Sequence, residues 1–446
     1  MYQLPVQLLD SIKNAKGFDI GAFVSVHTSG ELVTSVRLNP AKLISNPFAV
    51  GTPIPWTEFG YYLESRPSFT FDPLFHAGCY YVQEASSMFL EQALKQTVDL
   101  SKAIKVLDLS AAPGGKSTHL QSLLSKDSLL VSNEVIRSRA NILKDNIIKW
   151  GAENVMVTNN DPAHFSKLEN YFDVVVVDAP CSGSGLFRRD PEAIAEWSEN
   201  NVQLCSQRQQ RILADVWPAL KKDGVLIYST CSYSAQEDEE IVQWATETLN
   251  AEIITLQTNP DWNIVESSGG YRFWPDKVKG EGFFLSCFRK GEGEEFSPVK
   301  TKKKPEPVTK NELAVISKWM KTDDRQFIKN QQTVYAWPEA IAGEFSYLLE
   351  NLRVIYSGIL VGELIRDKLV PSHSLAMSNC VADVPVMELK EEEAIRYLQR
   401  KDINPDVPKK GWHLVAFRGQ HLGWVNVLPN RLNNYYPKEL RILKDI

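Results

Sequence analysis

Apolar and polar positions alternate with two different periods between residues 101 and 290 of the 446-residue chain. Short apolar runs typical of strands are IKVLDLS, SLLVSNE, NVMVTN, FDVVVVDAP, GVLIYSTCS and GFFLSCF. Between these runs, apolar residues recur at helical spacing over 115–125, 137–150, 201–220 and 235–248. Strands that alternate with helices predict an α/β fold, with a mostly parallel sheet covered by helices on both faces. The run VVVVDAP has no polar alternation, so we expect it to be a central strand.

The same pattern divides the chain into regions. Residues 1–100 mix helix and strand signals and are expected to form an N-terminal α+β extension before the α/β domain at 101–290, which is the candidate catalytic domain once its motifs are considered below. Residues 291–312 are rich in charge and proline, which is typical of a linker and predicts a separable tail. Within that tail we expect an intermediate domain at 313–385. Short strands and glycine turns then predict a small β-rich module at 386–446.

Composition limits the class of protein without identifying a partner. No apolar run approaches the roughly 20 residues that a membrane helix needs, and the first residues lack a secretion-signal pattern. The six cysteines contain no CxxC pair, so neither a zinc site nor a disulfide framework is expected. These features predict a cytoplasmic protein that binds no metal and no membrane. The net charge of −6 neither indicates nor excludes an RNA partner, because it still allows local basic clusters such as Arg188–Arg189 and Lys302–Lys304.

The first strand of the catalytic domain runs directly into a turn of small residues that precedes a helix. This turn consists of Ser110, Ala111, Ala112, Pro113, Gly114, Gly115 and Lys116. Small residues let a ligand approach the backbone, and a helix N-terminus favours an anionic group. A P-loop needs glycine where Ser110 stands, and the GxGxxG pattern of a dinucleotide site is absent from the sequence. The turn therefore predicts S-adenosylmethionine as the cofactor, with its methionine carboxylate at the backbone amides.

Two acidic residues at the ends of the next strands extend this predicted cofactor site. Glu134 ends the second strand, where a carboxylate can accept hydrogen bonds from both ribose hydroxyls. Asp161 follows the third strand and is placed to meet the adenine amino group. A turn with helix caps explains any one of these features. It does not explain all of them at successive strand ends, which is where ligands bind in such sheets.

Two cysteines also lie at predicted strand ends. Cys181 follows the fourth strand within DAPCSG, close to Asp178, and Cys231 follows the fifth strand within STCS. A thiolate that adds to carbon 6 of cytosine makes carbon 5 able to attack a methyl group, and a base must then remove the proton from carbon 5. Asp178 can hydrogen-bond or protonate ring nitrogen 3, which carries the developing charge. The remaining cysteines are expected to be inert core residues: Cys79, Cys205, Cys287 and Cys380.

These segments resemble the signature motifs of the Sun-type RNA cytosine-5 methyltransferases. The resemblance covers about residues 30–290 and rests, in order, on SVRLNP, AGCYYVQEASSM, SAAPGGK, DAPCSGSGLFRRDP, IYSTCSYSAQEDE and RFWPDKVKGEGFFLSCF. It implies a Rossmann-like S-adenosylmethionine-dependent methyltransferase core. It also implies Cys231 as the nucleophile and Cys181 in product release, whereas DNA cytosine methyltransferases use the cysteine of the Pro-Cys motif. The implied cofactor positions are Ser110 to Lys116, Glu134, Asp161 and Asp178. Asp178 is implied to contact both the cofactor and the cytosine base.

The tail is similar to the C-terminal extension of F-type bacterial small-subunit ribosomal RNA methyltransferases, whose last module is PUA-like and helps to hold RNA. This resemblance implies RNA-binding roles for 1–100 and 386–446, and 16S ribosomal RNA or a ribosomal particle as the partner. Candidate RNA contacts are Tyr435, Tyr436, Lys438 and Arg441 in the tail, and Arg188 and Arg189 beside the active site.

Three other functions remain open from the residues. A transfer RNA methyltransferase would use the same chemistry on a different RNA. A non-catalytic RNA-binding assembly factor has no need of Cys231, Cys181 and Asp178 together. A nicotinamide oxidoreductase is opposed by the missing GxGxxG pattern.

Overall fold

The computed structural model of the protein describes residues 3–42, 46–48, 51–294, 296, 305–403 and 409–445, so the cluster Lys302–Lys304 lies outside the described residues. The N-terminal elements are α1 (Val6–Ile12), α2 (Ile20–Thr28), β1 (Thr34–Leu38), β2 (Gly51–Pro53), β3 (Gly60–Leu63), α3 (Pro73–His76), β4 (Tyr80–Val82) and α4 (Leu90–Thr97). The catalytic region contains β5 (Lys105–Asp108), α5 (Gly115–Leu123), β6 (Leu129–Asn133), α6 (Arg137–Trp150), β7 (Val155–Thr158), β8 (Phe172–Asp178), α7 (Ala193–Glu196), α8 (Glu199–Val216), β9 (Leu220–Thr230), α9 (Glu239–Leu249), β10 (Ala251–Ile253), β11 (Val265–Ser267), β12 (Gly270–Phe273) and β13 (Phe283–Lys290). The tail contains β14 (Glu306–Pro307), α10 (Lys310–Ile316), β15 (Arg325–Asn330), β16 (Thr333–Pro338), α11 (Ala342–Asn351), β17 (Val354–Ser357), β18 (Ile359–Ile365), β19 (Lys368–Pro371), α12 (His373–Met377), β20 (Val386–Glu388), α13 (Glu391–Leu398), β21 (Gly411–Phe417), β22 (Gln420–Leu428) and β23 (Arg431–Asn434).

The catalytic region is built on a ten-stranded mixed sheet in the order β11-β12-β13-β9-β8-β5-β6-β7-β17, with β10 paired to β13. Its centre, β9-β8-β5-β6-β7, is parallel, and β13 runs antiparallel to β9. The predicted central strand is β8, and its residues 174–177 are all buried, as expected for a strand covered by helices on both faces. This arrangement confirms the predicted Rossmann-like α/β fold.

The predicted helices of the catalytic region form with small shifts at their ends. Helix α6 begins and ends where the periodicity places it, at residues 137 and 150. Helix α8 ends at Val216 and continues as a 3-10 turn over Trp217–Ala219, because Pro218 has no backbone donor for the next helical bond. The helix predicted over 235–248 is divided into a 3-10 turn, Ala235–Glu237, and α9. The division falls at Asp238, whose backbone is not helical.

The N-terminal extension forms an antiparallel sheet, β2-β3-β1-β4, that is fastened to the helix of the predicted cofactor turn. The side chain of Arg37 is buried and donates to the Gly115 carbonyl at 3.2 Å and to Thr118 Oγ1 at 2.6 Å. Asn39 Nδ2 donates to the carbonyls of Gly78 at 2.9 Å and Trp150 at 3.0 Å. The arginine and asparagine of the SVRLNP motif thus position the extension on the catalytic region.

The tail is joined to the catalytic sheet, which differs from the separable tail that the linker composition predicts. Strand β17 pairs antiparallel with β7 and becomes the edge strand of the ten-stranded sheet. Next to it, the Arg353 amide donates to Asn160 Oδ1 at 3.0 Å. Phe345 and Leu348 of α11 are fully buried in the core that covers β8. The short segment VIYS gives no sign in the sequence that its partner is a strand almost 200 residues earlier.

The last module contains the sheet β20-β21-β22-β23, which matches the predicted β-rich character. Its apolar residues share a core with the N-terminal extension, so that Val36 and Tyr80 lie in the same cluster as Val415 and Leu422. The two ends of the chain therefore pack against each other beside the catalytic region. No helix among the described residues has the length and apolar character needed to cross a membrane.

Candidate active site

The two cysteines predicted to act in catalysis lie side by side at the carboxyl ends of neighbouring strands. Cys181 follows β8 and Cys231 follows β9, and their Sγ atoms are 2.8 Å apart. Both thiols are free and half-buried. The other cysteines, which were expected to be core residues, are buried: Cys79, Cys205, Cys287 and Cys380. The parallel pairing of β8 with β9 brings together two motifs that are fifty residues apart in the sequence.

The loops that carry the two thiols are packed too closely to admit an additional side-chain atom. The Gly185 amide donates to the Cys231 carbonyl at 2.8 Å. A Cβ atom at Gly185 would lie 2.5 Å from the Gly282 carbonyl oxygen and 2.7 Å from that of Cys231. Such distances are far below normal contact, so only glycine fits at this position. Gly185, the second glycine of SGSG, thus has a packing reason for its place in the motif.

The environment of the thiols favours a proton on Cys181. The pKa of Cys181 is raised well above its ordinary value, mainly by its hydrogen bond with Cys231 and then by burial and nearby negative charge. A thiol that keeps its proton can donate it to the neighbouring sulfur, which stabilises a thiolate there. The raised pKa of Cys181 keeps its thiol protonated, so Cys181 can donate in its contact with the Cys231 sulfur.

The turn from Ser110 to Lys116 lines a cavity of about 150 Å³ beside the cysteine loops. Gly114 has a φ of 118°, which L side chains rarely adopt, and its side-chain-free position leaves the N-terminus of α5 without a side-chain cap. Asp178 also lines this cavity, as do Tyr81, Gln83 and Glu84 from the N-terminal extension. The wall supplied by the extension is a part of the site that sequence reasoning did not find.

Glu134 and Asp161, predicted to contact the ribose and the adenine, differ in burial and in their hydrogen bonds. Glu134 is buried, its Oε1 accepts from the Ile136 amide at 2.9 Å, and its Oε2 has a loose ion pair with Arg139 at 3.6 Å. That second oxygen remains suited to accept from ribose hydroxyls. Asp161 is exposed, and its Oδ1 caps a 3-10 turn by accepting from the Ala163 amide at 3.0 Å. The backbone turn and the Glu134 carboxylate together fit S-adenosylmethionine.

Asp178 forms an ion pair with a residue of the cofactor turn. Its Oδ2 lies 2.8 Å from Lys116 Nζ, and its Oδ1 accepts from Ser229 Oγ at 2.8 Å. Burial lowers the pKa of Lys116, but the Asp178 carboxylate outweighs burial, so the net pKa is raised and the ammonium stays charged at neutral pH. The site therefore presents a fixed cation and a fixed anion next to the two thiols.

Sequence reasoning missed Glu237, a buried carboxylate behind the two cysteine loops. Its oxygens accept from the amide of Ser182 at 2.8 Å, from Ser182 Oγ at 2.5 Å and from Ser232 Oγ at 2.6 Å. The acidic run QEDE after the STCS motif is the signal that marks this position. Acidic runs usually indicate a solvated surface, and so the run alone did not suggest a buried acceptor.

Two of the predicted RNA contacts are structural instead. Arg188 is buried, and it donates to the carbonyls of Gly280 at 3.0 Å and Glu31 at 2.7 Å. Tyr436 is 2% exposed and lies in the core shared by the two ends of the chain. By contrast, Arg189 is exposed and Tyr435 is 40% exposed, so these two side chains remain accessible to a partner.

In the part of the chain that the structure describes, no group of three or more His, Cys, Asp or Glu side chains could hold a metal ion.

The fold and the site define an S-adenosylmethionine-dependent methyltransferase with a pair of cysteines at its reaction centre. The family model described as 16S rRNA methyltransferase RsmB/F matches residues 95–289. Models described as the N-terminal domain, the first C-terminal domain and the PUA domain of RsmF match residues 4–85, 312–378 and 384–442. The chain belongs to the ribosomal RNA small subunit methyltransferase F family.

Relatives across the whole chain support this assignment. The ribosomal RNA small subunit methyltransferase F of Shewanella piezotolerans is 30% identical over 94% of this chain and 93% of its own length. The protein of the same name from Cronobacter sakazakii is 30% identical over 98% of this chain and 96% of its own. Membership confirms the predicted activity: the chain is an S-adenosylmethionine-dependent RNA cytosine-5 methyltransferase.

Solved structures with the same fold cover roughly two thirds of the chain. A methyltransferase homolog protein from Pyrococcus horikoshii has a TM-score of 0.52 and 27% identity, and the alignment covers 64% of this chain and 100% of that one. NSun6 from Pyrococcus horikoshii, solved with SFG, has a TM-score of 0.52 and 18% identity, covering 65% of this chain and 99% of that one. The second likeness shows the fold alone.

Proposed function

We propose that the protein methylates carbon 5 of a cytosine in small-subunit ribosomal RNA through a covalent intermediate on Cys231. The observation that carries this mechanism is the pair of free thiols, 2.8 Å apart, beside the cavity of the cofactor turn. One thiol must add to the base and a second group must remove a proton, and a close pair of thiols supplies both. S-adenosylmethionine, held by the turn Ser110 to Lys116, would supply the methyl group to carbon 5 and leave as S-adenosylhomocysteine.

The reaction begins with Cys231. The hydrogen bond between Cys181 and Cys231 stabilises a thiolate at Cys231, which adds to carbon 6 of the cytosine ring. Addition forms the bond between sulfur and carbon 6 and moves the electron pair of the ring double bond toward carbon 5. Carbon 5 then accepts the methyl group, while the sulfur of Cys231 is held as an uncharged thioether.

Cys181 completes the reaction as the base that frees the product. Before addition, its pKa is raised mainly by the hydrogen bond with Cys231. Once Cys231 is an uncharged thioether, that contribution is lost, so the Cys181 thiol gives up its proton to solvent more readily. The resulting thiolate takes the proton from carbon 5, the electrons re-form the ring double bond, and the bond between carbon 6 and Cys231 breaks.

Asp178 and Lys116 hold the polar edge of the base during these steps. Both carboxylate oxygens of Asp178 are already acceptors, one from Lys116 and one from Ser229. Each of these oxygens has a second lone pair, so Asp178 can also accept from the exocyclic amino group. The pair also offers the Lys116 ammonium as a donor to the ring nitrogen or oxygen that gains negative charge.

Ribosomal RNA as the target is supported by the family descriptions and by the relatives that carry the same name over nearly the whole chain. We propose that residues 1–100 and 386–446, which share a core, together hold this RNA beside the catalytic domain at 101–290, with 291–312 as the connection and 313–385 as the intermediate domain. We further propose small-subunit ribosomal RNA or a ribosomal particle in the cytoplasm as the substrate. The accessible side chains Arg189 and Tyr435 are candidate contacts for it.

Bisulfite sequencing of ribosomal and transfer RNA from cells lacking the gene tests this function. We expect loss of one or more 5-methylcytosines in 16S ribosomal RNA and restoration by the wild-type gene but not by a Cys231→Ala copy. Comparing methylation of purified small subunits with that of naked 16S RNA then identifies which of the two is the substrate. Loss confined to transfer RNA would contradict the proposal.

A further inference from the structure

Glu237 connects the two loops that carry the reactive thiols. It stands six residues after Cys231, in the 3-10 turn Ala235–Glu237, and its side chain is fully buried. Its carboxylate accepts from both the amide and the hydroxyl of Ser182, the residue next to Cys181. It also accepts from the hydroxyl of Ser232, the residue next to Cys231. One carboxylate therefore binds the immediate neighbours of both cysteines.

Further contacts hold Glu237 itself in place. The Tyr228 hydroxyl donates to the Glu237 carbonyl at 2.7 Å, which fixes the Glu237 backbone to β9, the strand that ends directly before Cys231. Gln209 Nε2 donates to Glu237 Oε1 at 3.2 Å and to the Pro180 carbonyl at 3.1 Å, directly before Cys181. Buried hydrogen bonds to a charged acceptor are strong and directional, so this network resists a change in loop spacing.

We infer that Glu237 is a positioning residue for the methylation reaction: it holds the two cysteine loops at the spacing at which Cys181 reaches the proton on carbon 5. This inference rests on the roles proposed above for the two thiols. The addition step needs Cys231 alone, whereas product release needs both sulfurs at one base. A change in loop spacing should therefore slow release more than addition.

The test uses Glu237→Gln in the full-length protein. A denaturing gel with labelled RNA and S-adenosylmethionine measures the covalent protein–RNA band, and product formation is measured in parallel. We expect turnover to fall roughly tenfold to a hundredfold while the covalent band rises several-fold above wild type. Calorimetry should show cofactor affinity within about twofold of wild type, because the contacts of Glu237 lie on the cysteine loops.

The matched control is Glu239→Gln. Glu239 is a nearby, largely buried carboxylate that pairs with Arg272 and accepts from Ser267 Oγ, and it makes no hydrogen bond to the cysteine loops. Its substitution should lower the melting temperature without raising the covalent band. An equal rise in both variants would show a general loosening of the fold and overturn the inference.

If Glu237→Gln does not fold, Ser182→Ala and Ser232→Ala each remove one hydroxyl from the network. Each should raise the covalent band, and the double variant should raise it further. Cys181→Ala and Cys231→Ala run alongside as references. A covalent band in Cys181→Ala without one in Glu237→Gln or the serine variants would overturn the positioning role but leave the mechanism standing. No band in Cys181→Ala would instead overturn the proposed roles of the thiols.

Discussion

Two regions of the ten-stranded sheet are held by different kinds of contact. One is the pair of cysteine loops, which carry Cys181 and Cys231; the other is the tail-docking edge, where β17 of the tail pairs with β7. At the carboxyl ends of β8 and β9, a few buried hydrogen bonds to one carboxylate determine the positions of two sulfurs. At the edge of β7, backbone pairing with β17 and apolar side chains of α11 hold the tail over a wide area. Single polar substitutions at the cysteine loops should therefore alter the rates of the reaction steps. At the tail-docking edge, substitutions that remove buried apolar area should lower the stability of the fold.

The largest expected effect distinguishes the two cysteines. Cys231→Ala should form neither product nor covalent band, because the first bond cannot form. Cys181→Ala should form the covalent band and transfer the methyl group, then stall, since the proton on carbon 5 is not removed. A denaturing gel with labelled RNA and S-adenosylmethionine measures both outcomes. The opposite pattern would make the cysteine of the Pro-Cys motif the nucleophile.

The second prediction concerns stability at the tail-docking edge. Phe345 is fully buried in the core beneath α11, so Phe345→Ala should lower the free energy of unfolding by about 3–5 kcal/mol. Removing residue 305 onward should be more damaging still, because it exposes the edge of β7 and the core that α11 covers. Leu443→Ala, at a side chain 78% exposed, is the control and should leave the melting temperature nearly unchanged. A truncated protein as stable as wild type would show that docking contributes little.

The third prediction returns to the catalytic end of the sheet. Glu134→Ala should weaken S-adenosylmethionine binding by about tenfold to a hundredfold, since a charged hydrogen-bond acceptor is worth roughly 1.5–3 kcal/mol. Glu153→Ala serves as the control: Glu153 pairs with Arg325 before β7 begins, at the opposite end of that strand, and its loss should leave affinity unchanged. Calorimetry measures both. Unchanged affinity in Glu134→Ala would move the ribose contact to another residue.

The smallest expected effect is a pH dependence at the tail. Burial, and then the charge of Lys42, lowers the pKa of His373 from 6.5 to about 3. The folded protein therefore keeps this histidine neutral while the unfolded chain binds a proton, so stability is lost as pH falls below 6.5. At pH 5.5 the loss should be about 1.4 kcal/mol. Thermal unfolding at pH 7.5 and pH 5.5 measures how much stability is lost between the two pH values. His373→Gln should make that loss smaller by the contribution of His373. An unchanged loss of stability in this variant would assign the pH dependence to other histidines.

Several expectations about the site followed from local pattern and chemistry. The strand–helix alternation located β5, β6, β7, β8 and β9 and placed the residues with reactive side chains at their carboxyl ends. The membership of the F family agrees with the resemblance drawn from the motifs and the tail. Arg188 and Tyr436 show the limit of such reasoning. Their side-chain chemistry suits RNA, yet both are buried by segments that are distant in the chain.

By itself, the sequence determined the class of fold, the cofactor turn and the two cysteine motifs, because periodicity and side-chain chemistry are properties of short segments. Only the tertiary structure decided that β17 completes the catalytic sheet and that the N-terminal extension lines the cofactor cavity. It also decided that Glu237 lies behind both thiols. Each of these facts depends on which surfaces of distant segments meet, and a hydrophobic pattern shows that a surface will be buried without showing what will cover it.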